Sequence, residues 1–132
     1  MSLRIGGFAT LLQVFDMPIS LAFYRDVLGF DVISEVPDDG RCDWVMLRRF
    51  ESELMLNTAY EAEARPSAPD PIRFAAHSDT TLYLGCEDVD AAYAELRARG
   101  VAAREPIVTD YGMKQVYLND PDGYEICLQQ PV

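Results

Sequence analysis

The chain repeats itself with an offset of 72 residues, and this repeat limits the possible folds more than any other feature of the sequence. Asp16 and Asp88 stand at equivalent positions of the two copies. Each aspartate follows an apolar, strand-like segment and precedes a segment with the apolar spacing of an amphipathic helix that stops at a glycine. Because aspartate is favoured at the start of a helix and glycine at its end, helices are predicted at about 17–28 and 89–99.

Further strand-like segments complete each copy as a β-α-β-β-β module. Four strands are predicted in the first copy, at 9–15, 30–36, 43–49 and 53–57, and four in the second, at 81–87, 103–109, 114–119 and 124–129. Residues 58–80 carry three prolines and no clear periodicity, so they are predicted to be a linker. The sequence therefore predicts one α+β domain, 1–132, made of module 1 (about 7–57), that linker and module 2 (81–130).

A tight turn is predicted just before the last strand, at Asp120-Pro121-Asp122-Gly123. Pro121 sets φ for the first central position, and Gly123 tolerates the positive φ that ends such a turn. The side chain of Asp122 is expected to bond to the local backbone.

Three segments together resemble the vicinal oxygen chelate superfamily: LLQVFDMPISLAFYRDVLGFDV, LGCEDVDAAYAELRARGV and GMKQVYLNDPDGYEICLQQP. That superfamily includes glyoxalase I, extradiol dioxygenases, fosfomycin-resistance enzymes and bleomycin-binding resistance proteins. The resemblance implies the glyoxalase/bleomycin resistance fold, in which two tandem modules form a cleft from curled mixed sheets. It also implies that each sheet has its helix on the outer side and a ligand cavity on the inner side.

The alternation of side chains along each strand then divides the residues between the two sides of the sheets. The apolar set expected to pack under the helices is Leu12, Val14, Val45, Leu47, Leu54, Leu56, Leu82, Leu84, Val116, Leu118, Ile126 and Leu128. The inward set is Ala9, Leu11, Gln13, Trp44, Met46, Arg48, Glu53, Met55, Asn57, Thr81, Tyr83, Gln115, Tyr117, Asn119, Glu125, Cys127 and Gln129. This mixture of large apolar and uncharged polar groups is typical of a small-molecule site. The alternatives are that these side chains fill the trough themselves or form a subunit contact.

From the inward set and the loop that enters the strand at 114–119, a ligand-binding site is predicted. Its residues are Gln13, Trp44, Met46, Arg48, Met55, Asn57, Tyr83, Tyr111, Met113, Gln115 and Tyr117. No catalytic residue is assigned in this prediction.

The resemblance places the metal ligands of related enzymes at four positions, which in this chain are Ala9, Met55, Thr81 and Cys127. Hard divalent metals need imidazole, carboxylate or amide ligands, and one thiolate does not make a site, so no metal and no cofactor are expected. A register slip of one residue would bring Glu53 and Glu125 to ligand positions, but it would also turn apolar residues into the cavity. The single histidine, His77, lies in the predicted linker.

Composition excludes several functional classes. The net charge of −11 argues against nucleic-acid binding, and no run of about 18 apolar residues is present to span a membrane. The N-terminus lacks the apolar region of a secretory signal, and three cysteines without a CxxC pair suit free thiols in a reducing cytoplasm. One lysine against ten arginines is typical of a GC-rich bacterial genome.

Three functions remain open. The first is a homodimeric binding protein like the bleomycin-resistance proteins, which would sequester a cationic or aromatic drug on stacking surfaces. The aromatic candidates are Trp44, Phe50, Tyr83, Tyr111 and Tyr117. The second is an enzyme of the same superfamily, a lyase, isomerase or dioxygenase, with Glu53 or Glu125 as base, Cys127 as nucleophile, or an unrecognised metal site. The third is a scaffold with a vestigial cavity.

Overall fold

The computed structural model describes residues 2–132, which form two compact units: unit 1 ends at Arg65 and unit 2 begins at Pro66. The elements of unit 1 are β1 (Thr10–Val14), α1 (Met17–Leu21, continued by a π-helical stretch, Ala22–Val27), β2 (Asp31–Val36), β3 (Trp44–Arg49), β4 (Ser52–Thr58) and a 3₁₀ turn (Ala62–Ala64). The elements of unit 2 are α2 (Pro71–His77), β5 (Thr81–Gly85), α3 (Val89–Ala98), β6 (Ile107–Val108), β7 (Met113–Asn119) and β8 (Glu125–Pro131). Within residues 2–132, no helix is both long and apolar enough to cross a membrane.

The two units contain sheets of the same topology. Unit 1 has the strand order β1-β4-β3-β2 and unit 2 has β5-β8-β7-β6. In each sheet the first and last strands of the module run parallel, while the other neighbours are antiparallel. The predicted α+β fold of two tandem β-α-β-β-β modules is therefore confirmed.

The core of each unit lies on one side of its sheet, as the alternation predicts. Of the apolar set predicted to pack under the helices, Leu12, Val14, Val45, Leu47, Leu54 and Leu56 are buried in unit 1 and Val116, Leu118, Ile126 and Leu128 in unit 2. Two residues from the opposite side of the unit 2 sheet, Gln115 and Cys127, are buried as well. Phe23 and Tyr24 of the first helix, and Val89 and Leu96 of α3, are buried as well. Burying one such large aliphatic side chain stabilises the folded state by about 1.5–3 kcal/mol. A strand that slipped by one residue would lose this burial, so the apolar alternation sets the strand register. Leu82 and Leu84 of β5 are only partly buried.

Both helix starts and both helix ends follow the sequence signals. The Asp16 carboxylate accepts a hydrogen bond from the backbone N–H of Ile19 at 3.2 Å, and Asp88 does the same for Ala91 at 3.0 Å. Gly29 and Gly100 have φ angles of 84° and 80°, a left-handed conformation that costs glycine little. These contacts satisfy backbone groups that helix ends otherwise leave unpaired.

The segment predicted to be a linker is more ordered than its sequence suggested. It contains the 3₁₀ turn and α2, which begins at Pro71 after an Asp70 cap that accepts from Ile72 N at 2.9 Å. An aspartate cap followed by proline at the first helical position is a helix-start signal. Here the neighbouring prolines made the whole segment resemble a linker. The third strand of module 2 differs as well, because β6 pairs over only two residues instead of the predicted 103–109.

Helix α2 packs on the hairpin turn that precedes β8. The ring of His77 stacks on Tyr124 with centroids 4.0 Å apart, and His77 Nδ1 donates to the carbonyl oxygen of Asp122 at 2.7 Å. A Cβ on Gly123 would lie 2.6 Å from the carbonyl oxygen of Phe74, closer than side chains approach. Gly123 is therefore required both for its φ of 88° and for this close approach.

The carboxylate that organises the hairpin turn belongs to Asp120. Its Oδ1 accepts hydrogen bonds from the backbone N–H groups of Asp122 at 2.9 Å and Tyr124 at 2.8 Å. The bond predicted for the Asp122 side chain stays a prediction; both aspartates of the turn are buried. An aspartate at the first position of a turn can reach the N–H groups that follow it, which accounts for the two bonds of Asp120.

Candidate functional site

Face 1 is the side of the unit 1 sheet opposite the buried core, and its side chains lie in three rows across the strands. Residues in register on neighbouring strands point to the same side of a sheet. The first row is Gln13, Asn57 and Trp44, the second is Leu11, Met55 and Met46, and the third is Glu53 and Arg48. Asn57 Nδ2 donates to Gln13 Oε1 at 3.2 Å, and Arg48 forms an ion pair with Glu53 at 3.2 Å.

The centre of face 1 is apolar and accessible. Trp44, Met46 and Met55 are each partly exposed. Methionine is flexible and polarisable, so this surface can adapt to aromatic ligands of different shapes. The Gln13–Asn57 amide pair borders the apolar centre on one side and the Arg48–Glu53 ion pair borders it on the other.

Face 2 is the corresponding side of the unit 2 sheet. Its rows are Tyr83, Cys127 and Tyr117; Gln129 and Gln115; and Thr81, Glu125 and Asn119. The centre of face 2 is thus polar, whereas the equivalent centre of face 1 carries methionines and a leucine. The two modules share a backbone topology, but equivalent positions on faces 1 and 2 carry different types of side chain.

A hydrogen-bond network centred on Gln115 covers much of face 2. Tyr117 Oη donates to Gln115 Oε1 at 3.1 Å, and Gln115 Nε2 donates to Tyr111 Oη at 3.3 Å and to Gln129 Oε1 at 3.0 Å. The hydroxyl groups of Tyr83 and Tyr117 lie 3.4 Å apart. The bond with Tyr83, together with burial, raises the pKa of Tyr117 well above its ordinary value, so this phenol stays protonated.

Cys127 lies beneath this network and is fully buried, with an exposed fraction of 0%. Burial raises the pKa of its thiol, and the nearby Glu125 carboxylate raises it further, although the hydrogen bond with Tyr117 acts in the opposite direction. A neutral, enclosed thiol is a poor nucleophile. The side chain therefore behaves as a small apolar filler of the sheet.

Each of the two glutamates on these faces is held by an arginine. Glu125 accepts from Thr81 Oγ1 at 2.7 Å and from Arg104 at 3.4 Å. Arg104 also donates to Asn119 Oδ1 at 3.0 Å, and its guanidinium lies 5.9 Å from the centre of the Tyr117 ring. The local sequence did not identify Arg104 as a residue of face 2, because Arg104 lies before β6 and reaches this face only in the folded structure.

The structure separates the predicted site residues into two groups. Gln13, Trp44, Met46, Arg48, Met55 and Asn57 lie on face 1, while Tyr83, Gln115 and Tyr117 lie on face 2 with Met113 on the same strand and Tyr111 joined through Gln115. Phe50 is in the turn between β3 and β4, where the Arg49 guanidinium lies 4.6 Å from its ring centre. Phe50 is thus an exposed turn residue outside both faces.

The four positions that carry metal ligands in related enzymes do not supply a ligand set here. Met55, Thr81 and Cys127 lie in β4, β5 and β8, and Ala9 directly precedes β1. Alanine has no donor, methionine is a poor ligand for hard cations, and the Thr81 hydroxyl is already bonded to Glu125. Among residues 2–132, no cluster of three or more histidine, cysteine, aspartate or glutamate side chains is arranged to hold a metal ion.

Unit 1 also contains a small cavity of about 140 Å³ that the sequence did not predict. It is lined by Phe15, Met17, Pro18, Arg41, Cys42, Asp43, Thr58, Tyr60, Ala62 and Arg65. Arg65 pairs with Asp16 at 3.5 Å and lies 5.4 Å from the centre of the Phe15 ring. Burial raises the pKa of the Cys42 thiol at its wall.

Comparison with known proteins matches a family model to most of the chain. The model of the Glyoxalase/Bleomycin resistance protein/Dioxygenase superfamily matches residues 5–128. The uncharacterized protein YaeR of Escherichia coli K12 is 34% identical over 119 residues, which cover 87% of this chain and 88% of YaeR.

Two solved structures from Streptomyces sp. CB03234 are similar over nearly the whole length. TnmS3, an antibiotic binding protein, has a TM-score of 0.74 and 27% identity, with both chains covered completely. A glyoxalase/bleomycin resistance protein has a TM-score of 0.68 and 28% identity, with coverage of 95% of this chain and 100% of that one.

Proposed function

Because this chain belongs to the Glyoxalase/Bleomycin resistance protein/Dioxygenase superfamily, we propose that it binds a small molecule without the help of a metal ion. The proposed ligand is an apolar or aromatic compound, neutral or cationic, such as an antibiotic that the protein sequesters. Faces 1 and 2 are the proposed binding surfaces.

The observation that carries this proposal is the chemistry of the four ligand positions. Ala9, Met55, Thr81 and Cys127 replace the imidazole and carboxylate groups that a metal-dependent relative would need. A surface that offers methionine and tryptophan in place of a metal favours binding over metal-assisted chemistry.

The similarity to TnmS3 supports the same ligand class. TnmS3 is an antibiotic binding protein, and its likeness to this chain extends over the full length. The net charge of −11 favours cationic compounds over anionic ones by long-range attraction. Trp44 on face 1 and Tyr117 on face 2 are partly exposed, and Tyr83 on face 2 is exposed.

We further propose that the protein acts as a symmetric homodimer in the cytoplasm, with ligand contacts from both chains. Several large apolar side chains of the N-terminal segment are exposed, namely Leu3, Ile5 and Phe8. Exposed apolar groups of this size favour association with a second surface. Light scattering at micromolar concentration tests this proposal, and a monomer would contradict it.

The alternative is an enzyme of the same superfamily with Glu53 or Glu125 as a base. Both glutamates lie on the proposed binding faces, as such a role requires. Each carboxylate already pairs with an arginine, so a base would first have to leave its ion pair. Turnover of a bound compound that stops in Glu125→Gln would favour this alternative.

Trp44 fluorescence tests the binding proposal without a label, because Trp44 is the single tryptophan. Titration with a panel of cationic and neutral polycyclic aromatics, in the presence of EDTA, is expected to quench or shift its emission. Trp44→Ala should weaken binding by about 1–3 kcal/mol as loss of an aromatic anchor does, measured by calorimetry. The matched control is Phe50→Ala, an exposed aromatic outside both faces, which should leave affinity unchanged. No response to any compound, or a response abolished by EDTA, would contradict the proposal.

A further inference from the structure

The wall of the unit 1 cavity includes a cation of the protein itself, the guanidinium of Arg65. Its Nη1 atom lies 3.5 Å from Asp16 Oδ2 and donates to the backbone carbonyl oxygen of Phe15 at 3.5 Å. The guanidinium carbon lies 5.4 Å from the centre of the Phe15 ring, within the range of a cation–π contact. A carboxylate, a carbonyl oxygen and an aromatic ring thus hold one planar cation beside the cavity.

The contacts that hold Arg65 are weak. Its side chain is 43% exposed, and both polar contacts are at the long limit for a hydrogen bond. An ion pair between side chains this exposed changes an equilibrium by about fivefold or less. Arg65 also follows the last element of unit 1, so its backbone lies outside the helices and strands. A ligand of similar chemistry can therefore replace it at low cost.

The charges around the cavity favour a cation over an anion once Arg65 leaves. Arg41 and Asp43 line the cavity as an ion pair of 3.5 Å, so their charges balance each other. Among residues 2–132, departure of Arg65 leaves the Asp16 carboxylate without its ion pair and gives the site one unbalanced negative charge. An anion would instead have to draw both arginines away from their carboxylates.

The aromatic wall and the volume of the cavity suit a small flat ligand. The rings of Phe15 and Tyr60 meet edge to face, with centroids 6.3 Å apart and planes at 80°. The cavity measures about 140 Å³, and an engineered apolar cavity of about 150 Å³ admits benzene. One aromatic ring with a single planar substituent therefore matches the space.

We propose that this cavity binds a small planar cation, a guanidinium or amidine carried on an aromatic ring, in competition with Arg65. The charged group of the ligand takes the position of the Arg65 guanidinium between Asp16 and the Phe15 ring, and the ring of the ligand enters the cavity. The residues that line this cavity differ from those of faces 1 and 2, so the inference goes beyond the proposed function and does not depend on it.

Three probes of nearly equal size and different charge test the proposal: benzamidine is a cation, benzamide is neutral and benzoate is an anion. Their affinities are measured by NMR titration at low salt, with the backbone amides of Thr58 and Tyr60, two lining residues, as reporters. We expect benzamidine to bind more tightly than benzamide, and benzoate to bind most weakly.

Arg65→Ala removes the internal competitor and should tighten benzamidine binding by about three- to fivefold, with benzamide affinity unchanged. The matched control is Arg97→Ala, which makes the same change in net charge on an exposed arginine of α3 in unit 2 and should leave both affinities unchanged. Adding Asp16→Asn to Arg65→Ala should reverse the gain for benzamidine alone. Asparagine is as good a helix cap as aspartate, so the fold is retained, as circular dichroism checks.

Several results would overturn the inference and leave the proposed function standing. An unchanged or weakened benzamidine affinity in Arg65→Ala would show that Arg65 does not compete for the site. Tighter binding of benzoate than of benzamidine would identify an anion site. Loss of benzamidine binding in Trp44→Ala, with no shift at Thr58 or Tyr60, would place the cation on face 1. Absence of any shift in Arg65→Ala at millimolar benzamidine would show that the cavity does not bind this class, whereas the Trp44 titration tests faces 1 and 2 separately.

Discussion

The hairpin turn before β8 provides the sharpest test of the structural reasoning, through Asp120→Ala. The Asp120 carboxylate is 4% exposed and accepts bonds from the N–H groups of Asp122 and Tyr124, two residues that are themselves buried. Alanine would leave both donors without this acceptor, and water has little access to them. One buried unsatisfied group costs about 1–3 kcal/mol, and partial relaxation of the turn limits the sum for two to about 2–4 kcal/mol.

Urea denaturation followed by circular dichroism measures this loss. Asp120→Asn is the matched control, because an asparagine keeps an oxygen at the same position and should cost about 1 kcal/mol or less. A loss below about 0.5 kcal/mol in Asp120→Ala, or equal losses in the two variants, would show that the carboxylate does not organise the turn.

Four further predictions concern the same surfaces. Gly123→Ala should destabilise the protein by about 2 kcal/mol or more, because the new Cβ would meet the carbonyl of Phe74 at a positive φ; an unchanged urea midpoint would contradict this. EDTA should leave the melting temperature unchanged and elemental analysis should find no stoichiometric metal, since a bound metal adds stability by mass action. Cys127→Ser should leave the affinity for the compound found in the Trp44 titration within about tenfold, and a collapse of binding would indicate a thiol-dependent function. The raised pKa of Tyr117 favours the neutral phenol in the folded state. Its contribution to stability is therefore present below the unfolded value of about 10 and is lost as pH rises through the higher folded value; ultraviolet titration should show a late-ionising tyrosine fraction that becomes smaller in Tyr117→Phe.

Faces 1 and 2 differ in chemistry although the two modules share one backbone topology. The row with Met46 and Met55 in unit 1 corresponds to the row with Tyr117 and Cys127 in unit 2. The first row offers dispersion contacts and the second offers oriented hydrogen bonds.

Local patterns in the sequence were sufficient to predict the two β-α-β-β-β modules, apart from the length of β6. Apolar alternation placed Val45, Leu47, Leu54 and Leu56 on the buried side because a strand that slipped by one residue would lose the burial of all four. The capping aspartates and the terminal glycines act within one turn of helix, so their effect could be read from a few adjacent residues. The helix α2 was missed for a related reason, because its Asp70-Pro71 start lay among other prolines.

Contacts between distant segments were decided by the tertiary structure alone. Arg104 and Glu125 are 21 residues apart, and Tyr83 and Tyr117 are 34 apart, yet each pair meets on face 2. The alternation of residues along the strands assigned Tyr83, Tyr117 and Glu125 to one side of the sheet. It does not predict the side-chain rotamers, and these decide which groups touch. The side chain of Gln115 bonds to Tyr111, Tyr117 and Gln129, and these bonds form only when β7, β8 and the loop before β7 come together. Sequence periodicity determines which way a side chain faces, whereas the packed structure determines which side chains touch.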